Sequence, residues 1–414
     1  MTAAATFVIV GAGQAGGRAA EAMRAAGFAG RVVLIGEEPA LPYERPPLSK
    51  AVLTGDKPAS TTELLPPGFY AQKGIEVLTG TRVEAIDAAA RTVRLSTGRT
   101  LGFTKLLLTT GGRVRTLPFA LPGMPGIFYL RTLAESLALG AALKEARRIA
   151  VIGGGFLGLE VAASASKLGL AVTLLELKPH LLDRAMAPEI AHFIAEIHRG
   201  KGVELRLGAN VTGIAGKEKL AAVELAQGTR VVADLAVVAV GIVPNSELAA
   251  AAGAAIGNGI VVDDFGRTSL PDIYAAGDVA DHPNPILGHW LRLESWQNAQ
   301  NQAIAAARAM CGVATPYAEV PWFWSDQYEF NIQMVGAPPK TDEIVVRGEP
   351  ASGRFLCFNL AGNVVVGATA FNMGGEIRFA RKLVELKARV EPSVLADGAR
   401  KLRDVVAALS PSPA

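Results

Sequence analysis

Hydrophobic positions in this chain fall largely into short continuous apolar runs, and twice such a run is followed by a glycine-rich turn and an alanine-rich stretch. Such runs suit strands of a parallel sheet covered on both faces, rather than strands that alternate between core and water. The first unit, Phe7 to Glu37, predicts a strand at Phe7–Val10, a helix over Ala15–Ala26 and a second strand at Arg31–Ile35. Gly11, Gly13 and Gly16 supply GxGxxG at the first turn. In that motif the first glycine permits the turn, the second lets a pyrophosphate approach the backbone, and the third lets helix and strand pack closely. The amides at the helix N-terminus would face the phosphates. Glu37 stands near where an acid meets a ribose hydroxyl. A glycine-rich turn alone is a weak signal, but the pattern recurs from Ile149 to Glu176, with Gly153, Gly155, Gly158 and a closing Glu176. Two such units imply two dinucleotides.

Between and after these units the pattern changes. IEVL, RVEAID, TVRL and KLLLTT, within residues 75–110, predict a small β-meander and a strand returning to the first sheet, followed by a small-residue turn at Thr109-Thr110-Gly111-Gly112. Residues 203–240 alternate short strands with turns and end in an apolar strand meeting Gly241. TSLPDIYAAGD predicts a strand ending in Gly277-Asp278, and α/β folds place ligands at the C-terminal ends of their strands. Glu294 to Met310 reads as a helix that Glu294 and Ser295 can cap. From Pro321 aromatics concentrate in PWFWSDQYEFNIQMVG. Strands follow at IVVRG, GRFLCFNL and VVVGATAF, with an amphipathic helix over Glu376–Ala388 carrying Arg378, Arg381, Lys382 and Lys387. This predicts a separate α+β domain. Read by residue type alone, Trp322, Phe323 and Trp324 are core packing.

Composition narrows the class. A chain of 414 residues, half of them apolar, is long enough for two or three domains, each with its own core. A surplus of 41 basic over 38 acidic residues is too small for a dedicated polyanion binder. Cys311 and Cys357 stand in no CxxC motif and read as buried thiols of a reducing compartment. The start of the chain lacks the features of a signal peptide, and the longest later apolar run falls far short of the roughly 20 residues of a membrane helix. A soluble cytoplasmic protein is expected, with a frayed SPSPA tail.

Two stretches bear on chemistry. Pro39, Pro42, Pro46 and Pro47 forbid a regular helix before Leu48 and predict a stiff loop holding Arg45 and Lys50, two cations that solvated surface charge would equally explain. Glu176 would hydrogen-bond a ribose 2′-hydroxyl and repel a 2′-phosphate. Like charges about 4 Å apart cost roughly 4 kcal/mol at an effective dielectric of about 20. NADH is therefore expected over NADPH, with Lys178 softening the preference.

Taken together, the two fingerprints, PYERPPLSK, IYAAGD and PWFWSDQY resemble the FAD-dependent, NADH-using ferredoxin reductases of bacterial oxygenase systems over nearly the whole chain. The resemblance implies an α/β protein with two nested Rossmann-like dinucleotide-binding domains plus a C-terminal α+β domain. The FAD domain would be discontinuous (1–113 and 245–320), enclosing an NAD domain (114–244), with the third domain at 321–414. It assigns Gly11, Gly13, Ala15 and Gly16 to the FAD pyrophosphate and Glu37 to the adenosine ribose. Arg45, Lys50, Val83, Gly111, Arg115 and Arg131 match further FAD positions, and Asp278 the ribityl or pyrophosphate portion. Trp296 and Trp324 match positions beside the flavin ring, which replaces core packing as the reading of Trp324. NADH would be held by Gly154, Gly155, Phe156, Leu157, Glu176 and Gly241, with Arg184 near the adenine end. No metal is expected.

The same resemblance implies hydride transfer from NADH to flavin, then single electrons to a [2Fe–2S] ferredoxin that feeds a cytochrome P450 or aromatic-ring oxygenase. Lys50 and Glu160 would pair near the reacting centre and orient the nicotinamide. The positive end of the helix beginning near Ser295 would favour negative charge on the flavin. An acidic ferredoxin would dock transiently on basic residues, Arg292 and the 376–389 helix being candidates. Neither nucleic acid nor membrane is an expected partner. The alternative acceptors are a rubredoxin or a quinone. An apoptosis-inducing-factor-like flavoprotein is a more distant reading, since it would want a strongly basic surface and a targeting segment. A disulfide reductase would need a redox cysteine beside the flavin, and the 37–60 region has none.

Overall fold

The computed structural model describes residues 5–216, 218–337 and 341–409, so the SPSPA tail lies outside the described residues. The chain forms two compact units. The first comprises Met1–Arg45, Ser60–Arg113 and Val243–Pro321; the second comprises Pro46–Ala59, Val114–Ile242 and Trp322–Ala414.

The first unit is built on a five-stranded parallel sheet. Its spatial order is Ile273–Ala275, Lys105–Leu108, Thr6–Val10, Arg31–Ile35 and Ile75–Leu78. Val8 lies opposite Val33 on one side and Leu106 on the other, so the apolar runs are buried by both neighbours and both faces. Helices Gln14–Ala25 and Trp296–Met310 pack together on one face, where Ala19, Ala20, Ala303, Ala306 and Ala307 are all buried. Alanine suits this contact because it keeps high helix propensity while letting two backbones approach closely. The other face is covered by the antiparallel meander Val83–Asp87, Thr92–Leu95 and Thr100–Gly102, through Val93, Leu95 and Leu101. The last of these strands carries too few apolar residues to announce itself in the sequence.

The second unit repeats the design. A parallel sheet runs in the order Glu204–Leu207, Ala171–Glu176, Arg148–Ile152, Leu235–Val238 and Ile127–Phe128. Helix Phe156–Lys167 crosses between the paired strands Arg148–Ile152 and Ala171–Glu176, as a parallel pairing requires. The same unit contains a five-stranded antiparallel sheet ordered Trp322–Gln327, Phe330–Gly336, Val364–Phe371, Arg354–Ala361 and Glu343–Glu349, with helix Gly374–Glu385 packed on it.

The stretch from Pro321, read from sequence only as an aromatic concentration, is the hairpin Trp322–Gln327 and Phe330–Gly336. Its inward residues include Ser325 and Gln327, both buried, and two polar residues on the core side hide the period-2 signal. Trp322, Phe323 and Trp324 are each only half-buried, which corrects the core-packing reading for Trp322, while Phe323 packs on Phe156. Trp322 and Trp324 stack with centroids 5.0 Å apart on the outward face. The stiff proline loop ends in a 3-10 turn, Pro46–Ser49, and a short helix, Ala51–Thr54.

Candidate functional site

Each unit carries one glycine turn, and the two turns are geometrical copies. Gly11 and Gly153 both have φ of +112°, where L side chains are strained. A Cβ on Gly11 would stand 2.2 Å from the Thr109 carbonyl oxygen, and one on Gly153 2.4 Å from that of Ala239. The third glycines are closed too: a Cβ on Gly16 would lie 1.9 Å from the Gly11 oxygen, and one on Gly158 2.0 Å from the Gly153 oxygen. The middle glycines differ from both. Around Gly13 and Gly155 a Cβ would meet nothing within 4 Å.

Nothing among the described residues therefore requires glycine at these two positions, and the space beside each is open. Gly13 and Gly155 are also the N-cap residues of their helices, and neither helix has a side-chain cap. The helix at Leu133, by contrast, has a full Thr132/Glu135 capping box. Backbone N–H groups left unpaired at an open helix start are what a pyrophosphate occupies. Gln14, buried at the first turn of its helix, has neither amide atom hydrogen-bonded among the described residues. A dinucleotide fits both turns.

Around the first turn, Thr109 Oγ1 donates to the Gly11 carbonyl at 2.8 Å, binding the neighbouring strand end to the glycine loop. Gly111 continues that end with φ of +60°, and its carbonyl accepts from Asn245 N–H. A Cβ on Gly277 would lie 3.1 Å from that of Ala15, so the half-buried Asp278 follows directly beside the opening helix. Arg45 is not a solvated charge. It donates to Glu38 Oε1 at 2.7 Å and to the Tyr43 hydroxyl at 3.0 Å, and that hydroxyl donates to Glu38 Oε2 at 2.5 Å. Burial works against the guanidinium charge, but Tyr43, Glu38 and Asp278 outweigh it and hold its pKa above the usual arginine value.

Other expected positions of this unit are more spread out. Glu37 is exposed, 3.8 Å from Arg82, while its neighbour Glu38 anchors Arg45. Val83 opens the first strand of the meander and is buried in the core between it and the parallel sheet. Trp296 opens its helix and donates from Nε1 to Glu44 at 3.3 Å; Ser295 caps that helix by accepting from Asn298 N–H. Arg292 is a correction. Its side chain is only 9% exposed, paired with Glu294 at 2.7 Å and donating to the Asp278 carbonyl, so it offers no cation to a docking protein.

In the second unit Glu176 closes on the turn. Its Oε2 accepts from Gly154 N–H at 2.6 Å and its Oε1 from Lys178 N–H at 2.7 Å. Phe156 packs on Phe323 at 4.4 Å, and Leu157 is half-buried beside it. Gly241 has φ of +97° and accepts from Arg115 N–H; the exposed Arg184 reaches to 3.5 Å from where a Gly241 Cβ would stand. Arg131 N–H is held by Glu135 at 2.8 Å. Trp324 Nε1 donates to Asp326.

One turn along the same helix lies Glu160, 8% exposed, with Oε2 2.8 Å from Lys50 Nζ. Ser49 Oγ donates to the same oxygen at 2.5 Å and Ser325 Oγ to the other at 2.6 Å. Neither serine was legible from sequence, since serine beside a charged residue is the commonest of surface patterns. The Pro46–Lys50 segment is itself held: Ser164 donates to the Ser49 carbonyl and Ser136 to that of Leu48, each at 2.7 Å.

Both cysteines are free. Cys357 is fully buried, and burial pushes its thiol pKa up to about 12; Cys311 is half-buried rather than buried as expected, in the other unit. Among the described residues there is no group of His, Cys, Asp and Glu able to hold a metal, and no helix long and apolar enough to cross a membrane.

Residues 5–303 match the pyridine nucleotide-disulphide oxidoreductase family, and residues 322–406 match the reductase C-terminal family. The ferredoxin–NAD(+) reductase component of the anthranilate 1,2-dioxygenase system of Burkholderia cepacia is 43% identical over 94% of this chain and 97% of that one. Putidaredoxin reductase of Pseudomonas putida is 40% identical over 99% of this chain and 98% of its own. Among solved structures, the covalent putidaredoxin reductase–putidaredoxin complex superposes with a TM-score of 0.95, at 40% identity and 99% coverage of both chains. With its duplicated glycine turns and its C-terminal antiparallel sheet, the chain belongs to the pyridine nucleotide-disulphide oxidoreductase family, in the branch that carries the reductase C-terminal domain.

Proposed function

We propose that the protein is an FAD-containing reductase that oxidises NADH and delivers electrons one at a time to a [2Fe–2S] ferredoxin serving an oxygenase. The observation that carries this reading is the duplication of an open, uncapped glycine turn, one in each unit. The first turn is the FAD site and the second the NADH site. The functional division of the chain is 1–113 with 245–320 for FAD, 114–244 for NAD and 321–414 as the third domain. Relatives named as ferredoxin reductases support the acceptor, and a rubredoxin or quinone is not favoured over it.

Bound FAD supplies the conversion between two-electron and one-electron chemistry. The chain's residues position and exclude. Backbone amides after Gly13 and Gly155 take the pyrophosphates, Asp278 takes ribityl or phosphate groups, and Arg45 is held rigid by Glu38 and Tyr43 to meet an anionic part of the cofactor. Glu37 and Glu176 receive ribose hydroxyls. Lys50 and Glu160 orient the nicotinamide, their ion pair fixing the ammonium's direction. Exposed Arg378 in helix Gly374–Glu385, with exposed Lys387 and Arg389 just after it, are the most accessible basic candidates for drawing in an acidic ferredoxin, whereas Arg381 is half-buried and Lys382 is engaged by Glu385. The place of action is the cytoplasm.

The test is purification and steady-state oxidation of NADH, beside NADPH, with a panel of ferredoxins and rubredoxins at several salt concentrations. Yellow protein that reduces a [2Fe–2S] ferredoxin with NADH, less well as salt rises, is the expected result. Colourless protein that takes up no added FAD would overturn the reading.

A further inference from the structure

The hydrogen bonds around Glu160 continue well beyond it. Ser325 Oγ, which donates to Glu160 Oε1 at 2.6 Å, is itself met by Gln327 Nε2 at 3.0 Å. Gln327 Oε1 lies 2.9 Å from His198 Nε2, and His198 Nδ1 lies 3.2 Å from the Tyr328 hydroxyl. Ser325, Gln327 and His198 are all buried, within one unit. Three polar side chains in a core cost stability unless each is satisfied, and here each is.

The direction of every bond follows from its end. A carboxylate paired with Lys50 only accepts, so the single proton of Ser325 points at Glu160. The serine oxygen must then accept from the Gln327 amide nitrogen, which turns the glutamine oxygen toward His198. A glutamine oxygen only accepts, so His198 carries its proton on Nε2 and offers Nδ1 as acceptor to the Tyr328 hydroxyl. The donors run one way, from Tyr328 to Glu160. Tyr328 pays for its place: φ is +56°, a strained value for a bulky residue at the hairpin turn. Lys201 tethers that turn, pairing with Glu329 at 2.9 Å and lying 5.5 Å over the Tyr328 ring.

We propose that Ser325, backed by Gln327 and His198, is a positioning residue that fixes the Glu160 carboxylate on Lys50 through a one-way hydrogen-bond chain. The relevance to turnover rests on the reading of Lys50 and Glu160 given above, whereas the chain itself is open to direct measurement. Helix Phe156–Lys167, which starts at the second glycine turn, and strand Trp322–Gln327 are thereby locked at two successive contacts, Phe156 on Phe323 and Glu160 on Ser325. The C-terminal sheet thus sets the geometry of a pair that lies one helical turn from the nucleotide.

The test uses the full chain, loaded with FAD and labelled with ¹⁵N at histidine and lysine. His198 is expected as the Nε2–H tautomer, with Nδ1 shifted as an acceptor, and the Lys50 ammonium as a resolved, slowly exchanging signal. In Ser325→Ala the Lys50 signal is expected to broaden, and flavin reduction by NADH to slow about tenfold with NAD+ affinity within twofold of wild type. Ser325→Thr, which keeps the hydroxyl, is expected to restore both. Gln327→Leu, which leaves Ser325 in place but unsupported, should show the Lys50 effect more weakly. A wild-type Nδ1–H tautomer, or an unchanged Lys50 signal in Ser325→Ala, overturns the proposal. Wild-type protein whose flavin NADH does not reduce would instead defeat the functional reading, leaving both NMR readouts to judge the chain.

Discussion

The Glu176 carboxylate lies 2.6 Å from the backbone N–H of Gly154, so the acid at the end of the second unit's strand is bound to that unit's glycine turn. Its other oxygen is taken by Lys178 N–H, which fixes the carboxylate plane and places its charge beside the nucleotide turn. Glu176→Gln removes that charge at nearly constant shape. We expect kcat/KM for NADPH to rise about tenfold, equivalent to ~1.4 kcal/mol, with NADH falling severalfold because one amide partner is lost. Parallel kinetics with the two coenzymes measure it, and an unmoved NADPH value would refute a charge-based preference.

Glu160→Ala would strand the Lys50 ammonium and deprive two buried hydroxyl donors, Ser49 and Ser325, of their acceptor. Breaking a buried pair from one side costs about 3 kcal/mol or more. Denaturant unfolding should show that loss, and stopped-flow reduction by NADH should slow at least tenfold; Glu160→Gln should fall between.

Arg347 is a buried cation whose guanidinium, among the described residues, donates to the carbonyls of Leu395, Asp397 and Arg400, and so ties residues 395–400 to the C-terminal sheet. Arg347→Met keeps the stem and removes all three donors. A loss of about 2–4 kcal/mol is expected by denaturant titration, with NADH-to-flavin reduction unaffected in the fraction that remains folded.

Burial lowers the His198 pKa below its usual value, although the Gln327 hydrogen bond opposes this, and burial does the same for His282. Above pH of about 6.5 both folded and unfolded chains keep these rings neutral. As pH falls below that, the unfolded chain takes up protons that the native state refuses. Stability should therefore decline on acidification by up to about 1.4 kcal/mol per pH unit for each histidine. Unfolding curves between pH 7 and 5 test the sign, and His198→Gln should flatten part of the slope.

The nucleotide turns, the strands around them and the helix from Trp296 were legible because glycine spacing, β-branched runs and alanine stretches report local requirements. The Lys50–Glu160 pair came through resemblance, and its geometry is present. What stayed hidden is what long-range polar contact decides. Ser49 and Ser325 look like surface serines until Glu160 is placed between them. Gln327 on a core-facing strand position breaks the alternation that would have revealed the strand, and His198 compensates for it from 129 residues away. Arg292 misled in the other direction, since a cation in a polar stretch reads as exposed while Glu294 and the Asp278 carbonyl draw it inward.

The empty surroundings of Gly13 and Gly155 have a practical side. On the function proposed above, a side chain added at either place would fill room reserved for a guest molecule, while meeting none of the described residues within 4 Å. Inherited or engineered changes there would yield chains that express, fold and melt like the parent, yet are inert. Screens that score abundance or heat resistance would pass them as silent, and only a screen for colour or coenzyme uptake would reveal the lesion.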